Sequence, residues 1–299
     1  MSYRGKGLKY YTMKIAAIIV TYNRLELLQR CYNALLDQSN ENFIIVVVNN
    51  GSTDGTKEWL DIPKDRLIVI HQNNVGGAGG FYSGMKFAYE AGYDWMWLMD
   101  DDGVPEKKQL QELIHVSEAN SFLFANALVC DIEAPLSLSF GLSESILNVK
   151  DVEGQKWIKN LINPFNGTLI HRKVIDKIGF IKKEMYIWGD EVEYTLRAIT
   201  NGINVYTICS AIHFHPQNKG KKEKVFPHLL PYSIVVKPKP LSHAYYRNIG
   251  YIARKYHSLK SILFVLFCYS IYFLRKMEIY ELCKFFKYYF RGIRNDYLS

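Results

Sequence analysis

Cysteine is scarce in this sequence: five in 299 residues, at Cys31, Cys130, Cys209, Cys268 and Cys283. Scattered, odd in number and without a CxxC pair, they argue against a disulfide framework and a structural zinc site, and read as reduced thiols of a cytoplasmic protein. Long apolar runs are missing too. The uncharged stretch SILFVLFCYSIYFL has about 14 residues, short of the ~18–20 that a membrane-spanning helix needs. The basic opening MSYRGKGLKYYTMK is followed by only IAAIIV, which reads as a first strand rather than a secretory signal, with Met13 an alternative start. Neither GxGxxG nor GxxxxGK(S/T) occurs, which counts against a dinucleotide-dependent dehydrogenase and a P-loop hydrolase. No internal repeat, low-complexity tract or nucleic-acid module is visible, so no nucleic-acid partner is expected.

Acidic residues thin out toward the C-terminus. From Gln217 onward there are 16 Lys+Arg against 4 Asp+Glu, a balance of +12, whereas the first 216 residues hold 21 and 25, a balance of −4. A near-neutral body with a strongly basic tail points to an anionic partner for the tail. The chain accordingly divides at 216, into a catalytic body (1–216) and a basic helical region (217–299).

The body alternates short apolar runs with helical spacing. KIAAIIV, FIIVVV, RLIVIHQ and WMWLMD read as buried parallel strands. LELLQRCYNALLDQ and TKEWLDI read as helices between them, and GGAGGFYSGMKFAYEAGYD as a glycine-rich turn leading into a third. This predicts an α/β fold: a Rossmann-like, open, mostly parallel sheet flanked by helices. Ligands of such sheets bind beyond the carboxyl ends of the strands. The polar clusters sit at those ends: Thr21-Tyr22-Asn23-Arg24, Asn49-Asn50-Gly51-Ser52, Asn73-Asn74 and Asp100-Asp101-Asp102. Farther on, NPFNGTLIHRKVIDKIGF reads as a strand then a helix, and WGDEVEYTLRAITNG as a helix opening with acids.

LMDDDG places three carboxylates in one turn. Like-charge repulsion makes that arrangement costly, and a hard divalent cation with oxygen ligands removes the cost. In an extended segment Asp100 and Asp102 point the same way and can share one ion, leaving Asp101 for a ribose or a supporting role. AIHFHP spaces His213 and His215 at strand alternation, and either is a suitable further ligand. In NNVGGAGG, glycines let the backbone of Gly76 and Gly77 approach a ligand beside Asn74, and a helix N-terminus favours phosphate.

The spaced series VTYNR, VVNNGSTDGT, NNVGGAGGF, LMDDDG and WGDE resembles the family 2 glycosyltransferases of GT-A fold over about residues 14–216, most of all the bacterial galactofuranosyl- and rhamnosyl-type enzymes. The resemblance implies Mn²⁺ or Mg²⁺ on Asp100 and Asp102, with a His completing the site. Ungapped counting favours His215 and looser spacing admits His213. It implies a nucleotide-sugar donor flanked by Thr21, Tyr22 and Arg24. Where the family usually has an aspartate in the second motif, this chain has Asn49-Asn50, whose amides can pair with a uracil edge. Asp54 reads as a turn or cap residue. The family's general base falls on Glu191, with Asp190 as runner-up, and a single base without an enzyme nucleophile implies inversion. Trp188 lines the acceptor groove or belongs to the core.

These readings make the chain an inverting, metal-dependent transferase. The expected donor is UDP-galactofuranose, with dTDP-rhamnose the alternative. The acceptor is a glycan or lipid-linked molecule of surface polysaccharide such as O-antigen. A nucleotidyltransferase would also use paired aspartates but has no need of WGDE, and a non-catalytic membrane scaffold would not need the intact acids. Past Pro216, QNKGKKEK reads as an exposed loop that closes over the donor. The apolar run with Lys260 and Arg275-Lys276 at its ends, followed by aromatics interleaved with Lys284, Lys287, Arg291 and Arg294, reads as an interfacial anchor. The protein is expected at the inner face of the cell membrane, with oligomeric state left open.

Overall fold

The structure, a computed structural model, describes residues 13–217, 221–226 and 230–297. The basic opening and part of QNKGKKEK lie outside them. In chain order the elements are β1 (Ile15–Thr21), α1 (Leu25–Leu36), β2 (Ile44–Asn49), α2 (Thr56–Asp61), β3 (Leu67–His71), α3 (Gly76–Glu90), β4 (Trp95–Asp100), β5 (Val104–Pro105), α4 (Gln109–Asn120) and β6 (Phe124–Asp131). Then come β7 (Trp157–Lys159), β8 (Asn166–His171), α5 (Arg172–Ile178), α6 (Asp190–Thr200), β9 (Tyr206–His215), β10 (Lys221–Phe226), β11 (Leu230–Val236), α7 (Ser242–Tyr256), α8 (Leu259–Arg275) and α9 (Ile279–Ile293).

A nine-stranded sheet runs β3-β2-β1-β4-β8-β6-β9-β5, with β7 also on β9. β1 to β4 are mutually parallel, as the apolar runs predicted. Beyond β4 the sheet is mixed, since β8 runs antiparallel to both β4 and β6. Alternate residues of β1 feed two cores: Ile15, Ala17 and Ile19 pack under α1, and Ala16, Ile18 and Val20 under α3. Register aligns Thr21 with Asn49 and Asn49 with His71, and Val20 with Asp100. The carboxyl ends of four strands therefore finish level, as a binding edge requires.

Two segments differ from their sequence readings. The glycines of NNVGGAGG are not a turn before α3 but its first turns, starting at Gly76. Their small size lets α3 lie against the sheet, because a Cβ on Gly80 or Gly84 would collide with Val20 or Ile18. Of QNKGKKEK, residues from Lys221 belong to the hairpin β10–β11 rather than to a loop.

The C-terminal region has a core of its own, built on Tyr246, Phe273, Phe285 and Tyr289. α9 is committed to it, burying Phe285, Tyr289 and Gly292. α8 instead leaves Leu259, Leu263, Phe267 and Leu274 exposed. Among the described residues no helix is long and apolar enough to cross a membrane. α7 and α9 cross where each has a glycine: a Cβ on Gly250 would strike the Tyr289 carbonyl, and one on Gly292 the Arg247 carbonyl. Gly250→Val is expected to cost roughly 1–3 kcal/mol by overpacking, visible as a lower Tm in a thermal melt. An unchanged Tm would mean that the helices do not touch there.

Candidate active site

The acids of LMDDDG leave β4 beside the end of β1. Asp101 is buried, its Oδ2 accepting from Thr21 Oγ1 at 2.7 Å. Arg24 Nη1 spans Asp101 Oδ1 at 3.1 Å and Asp102 Oδ2 at 2.9 Å. Burial pushes Asp101 up to about 6 against the pull of Arg24 and Thr21. Burial, with repulsion from Asp102 and Asp101, pushes Asp100 up to about 8. Asp102 is burdened by burial too, but His215 and Arg24 outweigh that and hold it below the ordinary carboxylate range.

β9 passes opposite, and the two histidines part company. His215 Nε2 lies 3.1 Å from Asp102 Oδ1. His213 is fully buried, with Nδ1 3.1 Å from the Gln109 side chain and Nε2 against Gly103, where a Cβ would collide with it. Burial drives its pKa down to about 3, so His213 is a neutral packing group.

On the nucleotide side, Asn49 and Asn50 are buried and their amides are already engaged. Asn49 Oδ1 accepts from Ser52 N and its Nδ2 meets His71 Nδ1; Asn50 Oδ1 accepts from Gln72 Nε2 and its Nδ2 donates to the Gly76 carbonyl. These bonds hold the ends of β2 and β3 and the start of α3 together. Asn74 Oδ1 accepts from Gly76 N, shaping the start of α3. Gly77 faces open space, whereas Gly76 (φ +75°) has the Tyr186 carbonyl where a Cβ would be. Tyr22 and Arg24 are exposed at the rim. Asp54 accepts from Leu25 N and from Thr56 N and Oγ1, although Arg24 and Gly55 hold the N-cap positions of α1 and α2.

The acids of WGDE begin α6, preceded by a contorted loop in which Tyr186 (φ 68°), Trp188 (φ 61°) and Gly189 (φ 100°) all have left-handed backbone. Such backbone persists only where surroundings enforce it. One enforcer is Ala78 N, which donates to the Tyr186 carbonyl at 3.1 Å. The other is Asn248 of α7, fully buried, whose Nδ2 donates to the carbonyls of Met185, Ile187 and Trp188 at 2.9, 3.0 and 2.8 Å. Tyr297 closes the set by donating to Asn248 Oδ1 at 3.1 Å.

Asp190 is buried, and burial with the repulsion of Glu191 holds it well above the ordinary range, Asp100 adding to the repulsion. The two acidic motifs thus converge. Glu191 is less buried, accepts from Gly189 N at 2.9 Å through Oε2 and, with Trp188, lines a cavity. Glu193 is structural: Arg197 of the same helix pairs with it at 2.7 Å, and Lys255 at 3.4 Å and Tyr256 at 2.6 Å tie α6 to α7 through it.

Residues 16–179 match the model of glycosyl transferase family 2. The chain belongs to that family. As a glycosyltransferase it is 28% identical over 217 residues to galactofuranosyltransferase GlfT1 of Mycolicibacterium smegmatis, covering 69% of this chain and 72% of the relative. It is 31% identical over 215 residues to GlfT1 of Mycobacterium tuberculosis, covering 69% and 71%. With the dTDP-rhamnosyl transferase RfbF of Shigella flexneri it shares 28% over 207 residues, covering 65% and 66%. The fold is that of S. aureus TarS 1–349, whose complex with UDP superposes with a TM-score of 0.57 at 15% identity, over 83% of this chain and 68% of that one. In the comparison with TarS 1–349 without UDP, this chain covers 64% of that chain's length.

Of the two acids, Glu191 lines the cavity, whereas Asp190 is buried behind it. No group of three or more His, Cys, Asp or Glu among the described residues is closed into a metal cage. Two atoms nevertheless suit a cation. His215 Nδ1 lies 2.7 Å from the Pro216 carbonyl, which can only accept, so in the neutral ring Nε2 carries a lone pair. Nε2 faces Asp102 Oδ1 at 3.1 Å, and either a shared proton, which raises His215 and lowers Asp102, or a cation can sit between them.

The residue that the sequence did not reveal is Asn248: an asparagine in a helix rich in aromatics has no motif to mark it. Asn248→Leu removes the amide shared by the three carbonyls, of which only Met185 O keeps a bond, from Ile187 N. It is expected to lower kcat about tenfold or more while donor KM changes less than about threefold, since it disturbs positioning rather than donor contacts. Equal loss in both parameters, tracking stability, would make Asn248 a packing residue. His213 yields a pH expectation. Its folded pKa of about 3 lies below the unfolded value near 6.5, so the unfolded chain binds the extra proton, and as pH falls from 6.5 toward 3 up to about 1.4 kcal/mol of stability per unit is lost. In denaturant titrations at pH 7, 5 and 4, His213→Gln should lose less stability over that span than the parent protein. Parallel curves would refute the assignment.

Proposed function

We propose that this glycosyltransferase transfers galactofuranose from UDP-galactofuranose, with inversion, to a glycan or lipid-linked acceptor of a surface polysaccharide such as O-antigen, at the inner face of the cell membrane. The observation that supports the inverting chemistry is the placement of the two acids of WGDE: Asp190 is buried, and Glu191 is the carboxylate that lines the cavity. Glu191 takes the proton of the acceptor hydroxyl as that oxygen attacks the anomeric carbon from the face opposite the leaving nucleotide. The left-handed loop fixes where Glu191 stands, and no second carboxylate is required as nucleophile.

The donor lies along the level strand ends. Thr21 orients Asp101, Arg24 neutralises Asp101 and Asp102, and Tyr22 offers an exposed ring to the base. Gly77, with open space before it near the N-terminus of α3, admits the phosphates. Asp100, Asp102 and His215 would hold Mn²⁺ or Mg²⁺, which supplies charge to the departing diphosphate. Support comes from the repulsion that raises Asp100 and from the facing acceptors Asp102 Oδ1 and His215 Nε2. A UDP-sugar agrees with UDP in the TarS complex, and Mn²⁺ with its presence beside UDP in GalNAc-T7, a likeness at TM-score 0.52. The GlfT1 relatives favour galactofuranose, and RfbF is the reason to keep dTDP-rhamnose as a second reading. Division at 216 gives a donor-binding body and a C-terminal region whose exposed α8 face, beside Lys260, Arg275 and Lys276, suits an anionic bilayer.

A donor panel tests this. Purified protein with Mn²⁺ and UDP-, dTDP- or GDP-sugars is expected to show a thermal shift and nucleotide release with UDP-galactofuranose alone, both lost in Asp102→Ala. Glu191→Gln should keep the thermal shift and lose about 10²-fold or more in turnover. Turnover that survives Glu191→Gln would remove Glu191 as base, and a response to dTDP-rhamnose would name the other donor.

A further inference from the structure

The turn that follows α9 is built to aim one side chain. Asn295 takes left-handed backbone (φ 55°) and donates its N–H to the Gly292 carbonyl at 2.9 Å, while Asp296 donates its N–H to the Arg291 carbonyl at 2.8 Å. This pair of bonds closes a helix end of the Schellman type, in which asparagine tolerates the left-handed position. Arg291 pairs with Asp296 at 2.9 Å and braces the turn. Gly292, packed against the Arg247 carbonyl, fastens the same stretch to α7. The chain therefore doubles back, and Tyr297 arrives on α7.

Three groups receive it. The Tyr297 hydroxyl donates to Asn248 Oδ1 at 3.1 Å, and Arg247 and Lys182 lie 4.3 and 4.4 Å from the centre of its ring. Arg247 donates through Nη2 to the Glu184 carbonyl at 3.1 Å, and Lys182 precedes the tight turn Lys183–Met185 that enters the left-handed loop. Tyr297 thus meets both α7 residues whose side chains grip the carbonyls of residues 184–188. Its hydroxyl has a specific task. A carboxamide has one acceptor oxygen and two N–H groups, and Asn248 aims the N–H side at three carbonyls. Because Asn248 is fully buried, its Oδ1 depends on a protein donor, and Tyr297 supplies it. Loss of that donor leaves a buried acceptor unpaired, and swinging the amide away from the loop is the way to relieve it.

We propose that Tyr297 is a positioning residue for the transfer reaction: by orienting the Asn248 amide it fixes the loop that precedes Glu191, while itself standing outside the cavity that Glu191 lines. The turn 291–297 then governs turnover from behind the site. This rests on the reading of Glu191 as base and adds a residue that acts on it at two removes.

The test uses the full chain with Tyr297→Phe, which keeps the ring and loses only the hydroxyl, alone and combined with Asn248→Leu. The amides of Tyr186, Ile187 and Gly189 are hydrogen-bonded and report on the loop by hydrogen exchange. Tyr297→Phe is expected to speed exchange across 185–191 roughly two- to tenfold, the range of one neutral hydrogen bond, and to leave peptides of β1 to β4 unchanged. With UDP-galactofuranose and Mn²⁺, kcat should fall by a similar factor while donor KM stays within about twofold. In the Asn248→Leu background the same substitution should add nothing, since no amide remains to orient. Unchanged exchange, unchanged kcat, equal effects in both backgrounds, or a rise in exchange throughout the chain that tracks a lower Tm each overturns the proposal. If the parent protein releases no nucleotide yet the exchange pattern holds, the hydroxyl's grip on the loop stands and the transferase reading falls.

Discussion

Everything at this site answers to the crowding of carboxylates at one sheet edge. Asp100, Asp101 and Asp102 leave β4 in sequence, and Asp190 approaches from α6 closely enough to feel Asp100. Left alone, four acids in a half-buried space would force one another to stay protonated. The fold meets the problem unequally. Arg24 and Thr21 stabilise Asp101, His215 and Arg24 stabilise Asp102, and Asp100 and Asp190 are left raised. Such uneven surroundings separate Asp101 and Asp102, each in contact with a cationic partner, from the fully buried Asp100 and Asp190.

The second constraint is mechanical. A short left-handed loop precedes Glu191, and its carbonyls are claimed from two sides: Tyr186 by Ala78 of α3, Met185, Ile187 and Trp188 by Asn248 of α7. Gly76 has to be glycine because the Tyr186 carbonyl occupies the place of its side chain. The loop is therefore a shared part of the nucleotide cradle and of the C-terminal helices.

Much of this was legible in the sequence because strands β1 to β4 are short apolar runs that end in polar turns, and parallel topology brings such ends together. The open sheet followed from that pattern, and the family from the resemblance of the motifs at the strand ends. What escaped has physical reasons. Glycine at the start of α3 looks like a turn, since its low helix propensity hides the packing against Val20 and Ile18 that compensates for it. Asn49 and Asn50 have amides that suit a base equally well as a neighbouring backbone, and only tertiary contacts choose. His213 and His215 have the same alternation, but Gly103 admits one of them into the core. α9 has a stronger amphipathic pattern than α8, yet its apolar face meets α7, and periodicity says nothing about which partner a face finds.

Asn248 also changes what counts as a separable module. A boundary at 216 divides the sequence by charge, but the base's position is specified on both sides of it. Tyr256 and Lys255 reach Glu193, Asn248 grips the loop, and Tyr297 grips Asn248. The C-terminal helices and the segment 185–193 are thus one structural unit. A recombination crossover at 216 would pair a base-bearing loop with a helix that was never selected to hold it, so acceptor preference should drift among relatives through paired changes in both stretches rather than in either alone.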